Sequence, residues 1–507
     1  MNKQRIAMVI AASLLTVAAL RLPAQELPPP SPESLPSTTQ EQGPFLPQPQ
    51  EQGSPQQGAQ EPGAGAQVHT GSVSGLDTEA RLRNLLADHQ YARLAAQLDQ
   101  LPADEAQFYR GILANRTNDL AASIKFLEPL VDAVSASGDK AREKLLRKTL
   151  AEDYLRSGDW SKAAQAYKAL DARLADQLSA DEKDEIEQPL KLLPLAQNNP
   201  PMTVEPCDPF VMQVSKNPLG LIDIPVFVDA APHSLMLDPT APFNLISHWL
   251  AKEVGLKLSE ETVTVHTITG RPIQVRMAVI PRFTIGGRLT LRNMTVFVYE
   301  DIDFYFPRSH YLVRGVLGYA ALSALGSLTV TDNDTIEIQP SKQPPPVVAA
   351  KAEGKPATGE KAALEPPPST PRENEGVPFY LEGDQVLVAL GKPGDERIFA
   401  IDAGSQQTYL TSRYYAEHAD DFAGQKMELF SVPGYQLAPP QPAYNAESVA
   451  LPVGPNTVHV HYLQVLTQPL GAAARDDVYG VLGVDALDQL KSYTFDYRTM
   501  RFSVKPE

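Results

Sequence analysis

Two stretches of this chain are copies of each other. Gly315 to Val330 reads GVLGYAALSALGSLTV, Gly480 to Phe495 reads GVLGVDALDQLKSYTF, and nine of the sixteen positions are identical. Chance does not readily produce that within one chain, so the C-terminal part must fold as a duplicated unit. The duplication extends upstream. Leu235-Met236-Leu237-Asp238 matches Phe399-Ala400-Ile401-Asp402, an apolar strand running straight into an aspartate in both copies. Leu245-Ile246-Ser247 then matches Tyr409-Leu410-Thr411 at the same offset. Asp238 lies 77 residues before Gly315, and Asp402 lies 78 before Gly480. Each copy therefore predicts an aspartate at a strand end, a later Gly-Val-Leu-Gly element, a short helix and a final strand pair.

The rest of the chain divides by composition. At 507 residues it is long enough for about three domains. Lys3 and Arg5 precede an uncharged apolar run, Ile6 to Leu20, and Leu22-Pro23-Ala24 offers a small residue for cleavage. Residues 1–24 read as a secretory signal peptide, with an uncleaved anchor as the alternative. No cysteine follows the run, so a lipoprotein anchor is excluded. Residues 25–75 are rich in Pro, Gln, Gly and Ser and cannot bury enough apolar surface to order themselves. They predict a disordered spacer.

Residues 76–195 change to Ala, Leu and charge at helical spacing. Gly158-Asp159-Trp160 reads as a turn between two helices, with Ala163, Ala164 and Tyr167 on the second. Forty residues earlier Asn118-Asp119-Leu120 occupies the same frame, and Leu127 aligns with Tyr167. A weaker copy surrounds Tyr91, Ala92, Ala95 and Leu98. These stretches resemble tetratricopeptide-like helical pairs. They imply either a concave surface for a protein partner or a helical spacer. Strand patterning begins near 205, breaks at a Pro, Ala, Lys and Glu linker over 341–376, and resumes from 377 to 507.

Composition also excludes functions. A net charge of −17 offers no basic face for nucleic acid. One cysteine, Cys207, allows no internal disulfide and no cysteine-based metal cluster, and it reads as a small buried hydrophobe. His459 and His461 alternate on a strand and share a face, but no third ligand stands nearby and no metal is expected. Asn115-Arg116-Thr117 and Asn293-Met294-Thr295 match glycosylation sequons. No nucleophile elbow, zinc-protease motif or phosphate loop is present. No cofactor is called for.

The duplicated unit resembles the pepsin/retropepsin aspartic proteases, most closely the exported bacterial retropepsin-like proteins. In that family each lobe has an apolar strand, then Asp-Thr-Gly or Asp-Ser-Gly, then an apolar-apolar-Gly segment that crosses beneath the aspartate loop. Val316-Leu317-Gly318 and Val481-Leu482-Gly483 match the last element. The resemblance covers residues 205–340 and 377–507. It implies a multi-domain chain: the α-helical region, then an all-β part with short helices in a bilobal aspartic-protease-type β-barrel fold. It also implies Asp238 and Asp402 as the catalytic pair, supported by Thr240, Gly404, Ser405, Gly318 and Gly483. Thr262 to Phe283 alternates around Thr269-Gly270, which the resemblance makes a candidate flap.

Two carboxylates sharing one proton activate a water and polarise a peptide carbonyl. The expected function is an exported, periplasmic or secreted aspartic-type endopeptidase acting on polypeptides. Both motifs depart from the family. Pro239 and Ala403 stand where a hydroxyl residue is usual, and Thr240 stands where glycine is usual. Two alternatives therefore stay open: a protease-like protein that binds peptides by strand addition without cutting, and a helical scaffold with the lobes as platform.

Overall fold

The computed structural model describes residues 75–340 and 376–505, apart from short segments at 197–198, 240, 242, 267–271, 308, 383–384, 393–394, 405, 432–439 and 470–476. The predicted signal peptide, nearly all of the predicted spacer and nearly all of the predicted linker lie outside the described residues. Among the described residues no helix is long and apolar enough to cross a membrane.

An N-terminal helical region precedes a mostly β region with short helices. The helical region runs α1 (Gly75–Ala87), α2 (Tyr91–Leu98), α3 (Ala103–Arg116), α4 (Leu120–Leu127), α5 (Val131–Ser137), α6 (Lys140–Arg156), α7 (Trp160–Leu174) and α8 (Ala180–Ala196). Three of its turns have one design. His89, Asn118 and Gly158 take positive φ of 55°, 58° and 76°, and Gln90, Asp119 and Asp159 then start the next helix. In each turn the starting residue's N–H bonds back five positions: Gln90 to Leu85, Asp119 to Ala114, Asp159 to Tyr154. That satisfies carbonyls the ending helix would otherwise leave open. The Asp119 and Asp159 carboxylates cap the N–H groups of Ala122 and Lys162.

Behind these turns Leu94, Leu98, Leu127, Leu146, Ala163, Tyr167 and Leu170 form one buried core. Inside the region Glu143 is 1 % exposed. Burial alone would raise its pKa, but hydrogen bonds from Ser135, Arg173, Arg147 and Lys140 win and hold it at about 2. Asn115 is fully buried and donates to Asp153 at 2.8 Å, so its sequon is closed to glycosylation in the folded chain.

The first half of the β region includes β1 (Phe210–Gln213), β2 (Ile222–Val228), β3 (Ala231–Leu237), β4 (Leu245–Ser247), helix α9 (His248–Glu253), β5 (Thr262–His266), β6 (Pro272–Ile285) and β7 (Leu289–Tyr299). It continues through β8 (Gly315–Leu317), helix α10 (Tyr319–Leu322), β9 (Ser327–Val330) and β10 (Thr335–Gln339). Strands β2, β6, β7, β4, β8 and β3 pair in a closed ring, because β6 pairs both β7 and β2. The second half repeats the pattern with β11 (Val377–Glu382), β12 (Gln385–Leu390), β13 (Arg397–Ile401), β14 (Tyr409–Leu410), α11 (Ser412–His418), β15 (Glu428–Phe430), β16 (Gln441–Val453), β17 (Asn456–Leu466), β18 (Gly480–Leu482), α12 (Val484–Gln489), β19 (Tyr493–Asp496) and β20 (Arg501–Val504).

The halves join through one sheet, in the order β11, β20, β19, β9, β10, β1. At its centre β9 and β19 pair antiparallel, with Leu328 opposite Phe495, Thr329 opposite Thr494 and Val330 opposite Tyr493. Thr329 and Thr494 are the same position of the duplicated sequence. Their hydroxyls meet at 2.7 Å. Leu328 corresponds to Tyr493 and Val330 to Phe495, so Leu328 faces the copy of Val330 and Val330 faces the copy of Leu328. Pairing of that kind is isologous and defines a local pseudo-twofold axis through the two threonines.

The helical region meets both halves. Helix α8 lies beside β5, and Ala196 shares a buried cluster with Val263, Ile273 and Val275. On the second half the contact is charged. His89 places Nδ1 2.8 Å from Glu382 and Nε2 2.9 Å from Asp477, and Tyr91 donates its hydroxyl to Glu382 at 2.9 Å. Burial would lower the pKa of His89, yet the two carboxylates overcome it and raise it to about 9.

Candidate active site

Strand β3 ends in a buried apolar run, Leu235 to Leu237, and the chain then turns at Asp238, which is fully buried. Strand β8 runs parallel to it, Met236 beside Val316 and Leu237 beside Leu317. The Asp238 N–H donates to the Leu317 carbonyl at 3.1 Å. The second half repeats this in register. Ala400 lies beside Val481 and Ile401 beside Leu482, and the Asp402 N–H donates to the Leu482 carbonyl at 2.9 Å. Each Gly-Val-Leu strand is flanked on its other side by the next strand of its half, Val316 opposite Leu245 and Val481 opposite Tyr409. Both aspartates thus occupy one position of one local structure, and Asp402 is only 9 % exposed.

The glycine that follows the first crossing strand is held tightly. A Cβ on Gly318 would stand 2.3 Å from the Phe243 carbonyl oxygen and 2.5 Å from that of Ala241, so no side chain fits. The Ala241 N–H reaches Asp238 Oδ1 at 3.2 Å, and the Ala241 carbonyl accepts from the Tyr319 N–H at 2.7 Å. Gly318 donates its own N–H to Asn244 Oδ1 at 3.1 Å. In the second half Gly483 donates to Thr408 Oγ1 at 2.8 Å, and Thr408 in turn donates its hydroxyl to Asp485 at 2.6 Å. Asn244 and Thr408 each lie six residues after their aspartate. The sequence reading missed them. The shared offset was legible, but the residue types differ, so no motif marked it.

Of the other predicted site residues, Gly404 is buried in the turn after Asp402. Thr240, Ser405, Thr269 and Gly270 lie outside the described residues. The arms of the predicted flap are paired, Thr262 opposite Arg276 and His266 opposite Pro272. Pro239 and Ala403, at the positions that lack a hydroxyl, are both buried. The two aspartate loops belong to different halves, and the second reaches the first half. Gln406 donates its side-chain amide to the Leu219 carbonyl. That turn is itself built on Asn217, whose Oδ1 accepts the N–H groups of Leu219 and Leu221.

Tyr497, in the turn that follows β19, is buried, its ring 5.7 Å from that of Tyr319. Burial first, then the neighbouring Tyr319, Tyr493 and Asp238, push its hydroxyl pKa far up, which keeps it neutral. Among the described residues no group of three or more His, Cys, Asp or Glu side chains gathers as a metal site. His459 and His461 are exposed on β17. Cys207 is only partly buried.

Comparison with known proteins singles out the first half: residues 224–321 match the aspartyl protease family model. That segment is similar to the aspartyl protease family. The match spans Asp238 and Gly318 of the first half, and the second half is linked to it by the internal duplication. Among solved structures the chain is similar to a retropepsin-like aspartic protease from Rickettsia conorii, at 16 % identity, covering 27 % of this chain and 92 % of that one. The TM-score of that match is 0.18. A search of curated proteins found no match.

Proposed function

We propose that the chain is an exported aspartic-type endopeptidase whose two β halves act as two lobes, with Asp238 and Asp402 as the catalytic pair. One observation carries this reading: the two aspartates are equivalent in register, in halves related by the pseudo-twofold at Thr329 and Thr494. Two carboxylates sharing a site cannot both ionise easily, so the pair holds one proton. The ionised partner takes a proton from water, and the hydroxyl adds to the peptide carbonyl. The protonated partner donates its proton to the carbonyl oxygen. Collapse of the tetrahedral species breaks the C–N bond and sends a proton to the leaving amine. Export rests on the N-terminal charged and apolar pattern.

The absent hydroxyls at Pro239 and Ala403 favour a second reading, in which the two halves bind an extended peptide without cutting it. The helical region is read as tetratricopeptide-like, on the strength of its three matched turns, with a protein partner as its ligand. A cavity of about 270 Å³ between Glu128, Leu150, Tyr154 and Lys162 offers room for one side chain of such a partner.

The test is incubation of the mature protein with unfolded casein and a mixed peptide library between about pH 3 and pH 7, beside Asp402→Asn. Cleavage by the parent and none by the variant supports the endopeptidase. Peptide binding without cleavage, from folded protein, replaces it with the second reading.

A further inference from the structure

We propose that Asn244 and Thr408 are positioning residues that hold the two aspartate loops against the strands crossing beneath them; this deepens the endopeptidase reading and rests on it for its catalytic consequence. Both side chains are buried, at 4 % and 2 % exposure. Both accept the same donor, the N–H of the glycine that ends the crossing strand and starts a short helix. That N–H has no partner within its helix.

The stitching is short. In the first half, five residues separate Asp238 from Asn244. Within that span Ala241 grips Asp238 Oδ1 with its N–H and accepts Tyr319 with its carbonyl. The adjacent amides of Gly318 and Tyr319 therefore pin the aspartate loop at residues 244 and 241. In the second half the amides of Gly483 and Asp485 pin the loop at Thr408 and Gln406, the latter at 3.3 Å.

Each positioning residue is anchored in turn, by different means. Asn244 donates Nδ2 to the Thr295 carbonyl at 3.3 Å, and its own carbonyl accepts the Phe297 N–H at 2.9 Å, which ties it to β7. Thr408 is tied to Asp485 by its hydroxyl at 2.6 Å and its N–H at 3.1 Å. Removal of either acceptor leaves a buried amide without a partner, and the cheapest relief is movement of the loop. A shift of about 1 Å at a reacting carboxylate lowers turnover by about 100-fold.

The test uses the full chain with Thr408→Val, which keeps shape and loses the acceptor, and Thr408→Ser, which keeps the hydroxyl. Asn244→Ala repeats the test at Gly318 and serves where Thr408→Val does not fold. Two quantities are read: amide exchange in peptides covering Gly318 or Gly483, and kcat and KM on a peptide the parent cleaves and Asp402→Asn does not.

The expected result for Thr408→Val is faster exchange confined to the Gly483 segment, kcat lower by about 10- to 100-fold and KM within about 3-fold. Thr408→Ser should restore both readouts. Unchanged exchange in the Val variant overturns the latch. Opened exchange with parental kcat overturns its positioning role. If the parent cleaves nothing, the endopeptidase reading fails by itself, and exchange alone then decides the latch.

Discussion

After its aspartate the first half runs Pro239 and then, six residues past Asp238, Asn244; the second runs Ala403, Gly404 and, at the same offset, Thr408. Strand pairing around the two aspartates is nevertheless superposable residue for residue. Backbone amides impose the same demand in both places: the aspartate N–H bonds to the crossing strand, and the glycine N–H needs an acceptor from the loop. Side chains of different types meet that demand. The halves differ more at their margins. The first closes its ring through Val226 to Val228 paired with Ile285 to Phe283, while the second brings the Gly391 N–H to the Pro452 carbonyl at 3.0 Å. The duplication has kept what the aspartates need and let the rest drift.

If the halves are equal in chemistry, Asp238→Asn and Asp402→Asn should each lower peptide cleavage by at least about 1000-fold. A large inequality between them, measured as kcat/KM on one peptide, would assign the water to one carboxylate alone.

The crossing glycines should be unequal. A Cβ on Gly315 meets the Leu245 carbonyl at 2.5 Å, whereas on Gly480 it meets the end of the Leu410 side chain at 2.7 Å and a carbonyl at 3.0 Å. Backbone cannot yield as a side chain does. Gly315→Ala should therefore cost about 3 kcal/mol and Gly480→Ala about 1 kcal/mol, read from urea midpoints.

The docking of the helical region on the second half should respond to pH, and that on the first should not. His89 has a folded pKa of about 9 against an ordinary value of 6.5. Its contribution is fully present below about pH 6.5 and is lost as pH rises through about 9. Hydrogen exchange in residues 91–98 should quicken over that range, while β5 beside α8 stays protected. His89→Ala should abolish the pH response and destabilise the chain by about 2 kcal/mol, because Glu382 and Asp477 lose their shared cation.

The smallest effect tests the axis. Thr329→Val and Thr494→Val each remove one side of the same hydroxyl pair and should cost about 1 kcal/mol alike, with coupling between them in a double-mutant cycle. Unequal costs without coupling would break the local twofold.

Short-range pattern carried much of this molecule. The strands running into Asp238 and Asp402, the Gly-Val-Leu-Gly elements, and the turns at Asn118-Asp119 and Gly158-Asp159 were all legible. Each depends on residues close in sequence: an apolar alternation, a positive φ, a capping carboxylate. Duplication doubled the signal, since two copies at one offset exclude accident.

Contacts between distant segments were not legible. Nothing local marks His89 as the partner of Glu382 and Asp477, or Asn115 as a buried donor to Asp153 in place of a glycan site. Asn244 and Thr408 share a position but not a chemistry. Their role comes from an amide some 75 residues away that lacks a partner until the strands have paired. By itself the sequence determined the repeated strands, turns and aspartate positions, because local geometry and a period of two or 3.6 residues are written in neighbouring side chains. Only the tertiary structure decided which buried donors meet which acceptors, because hydrogen bonding is short-ranged and its partners are chosen by the packing that brings them within 3 Å.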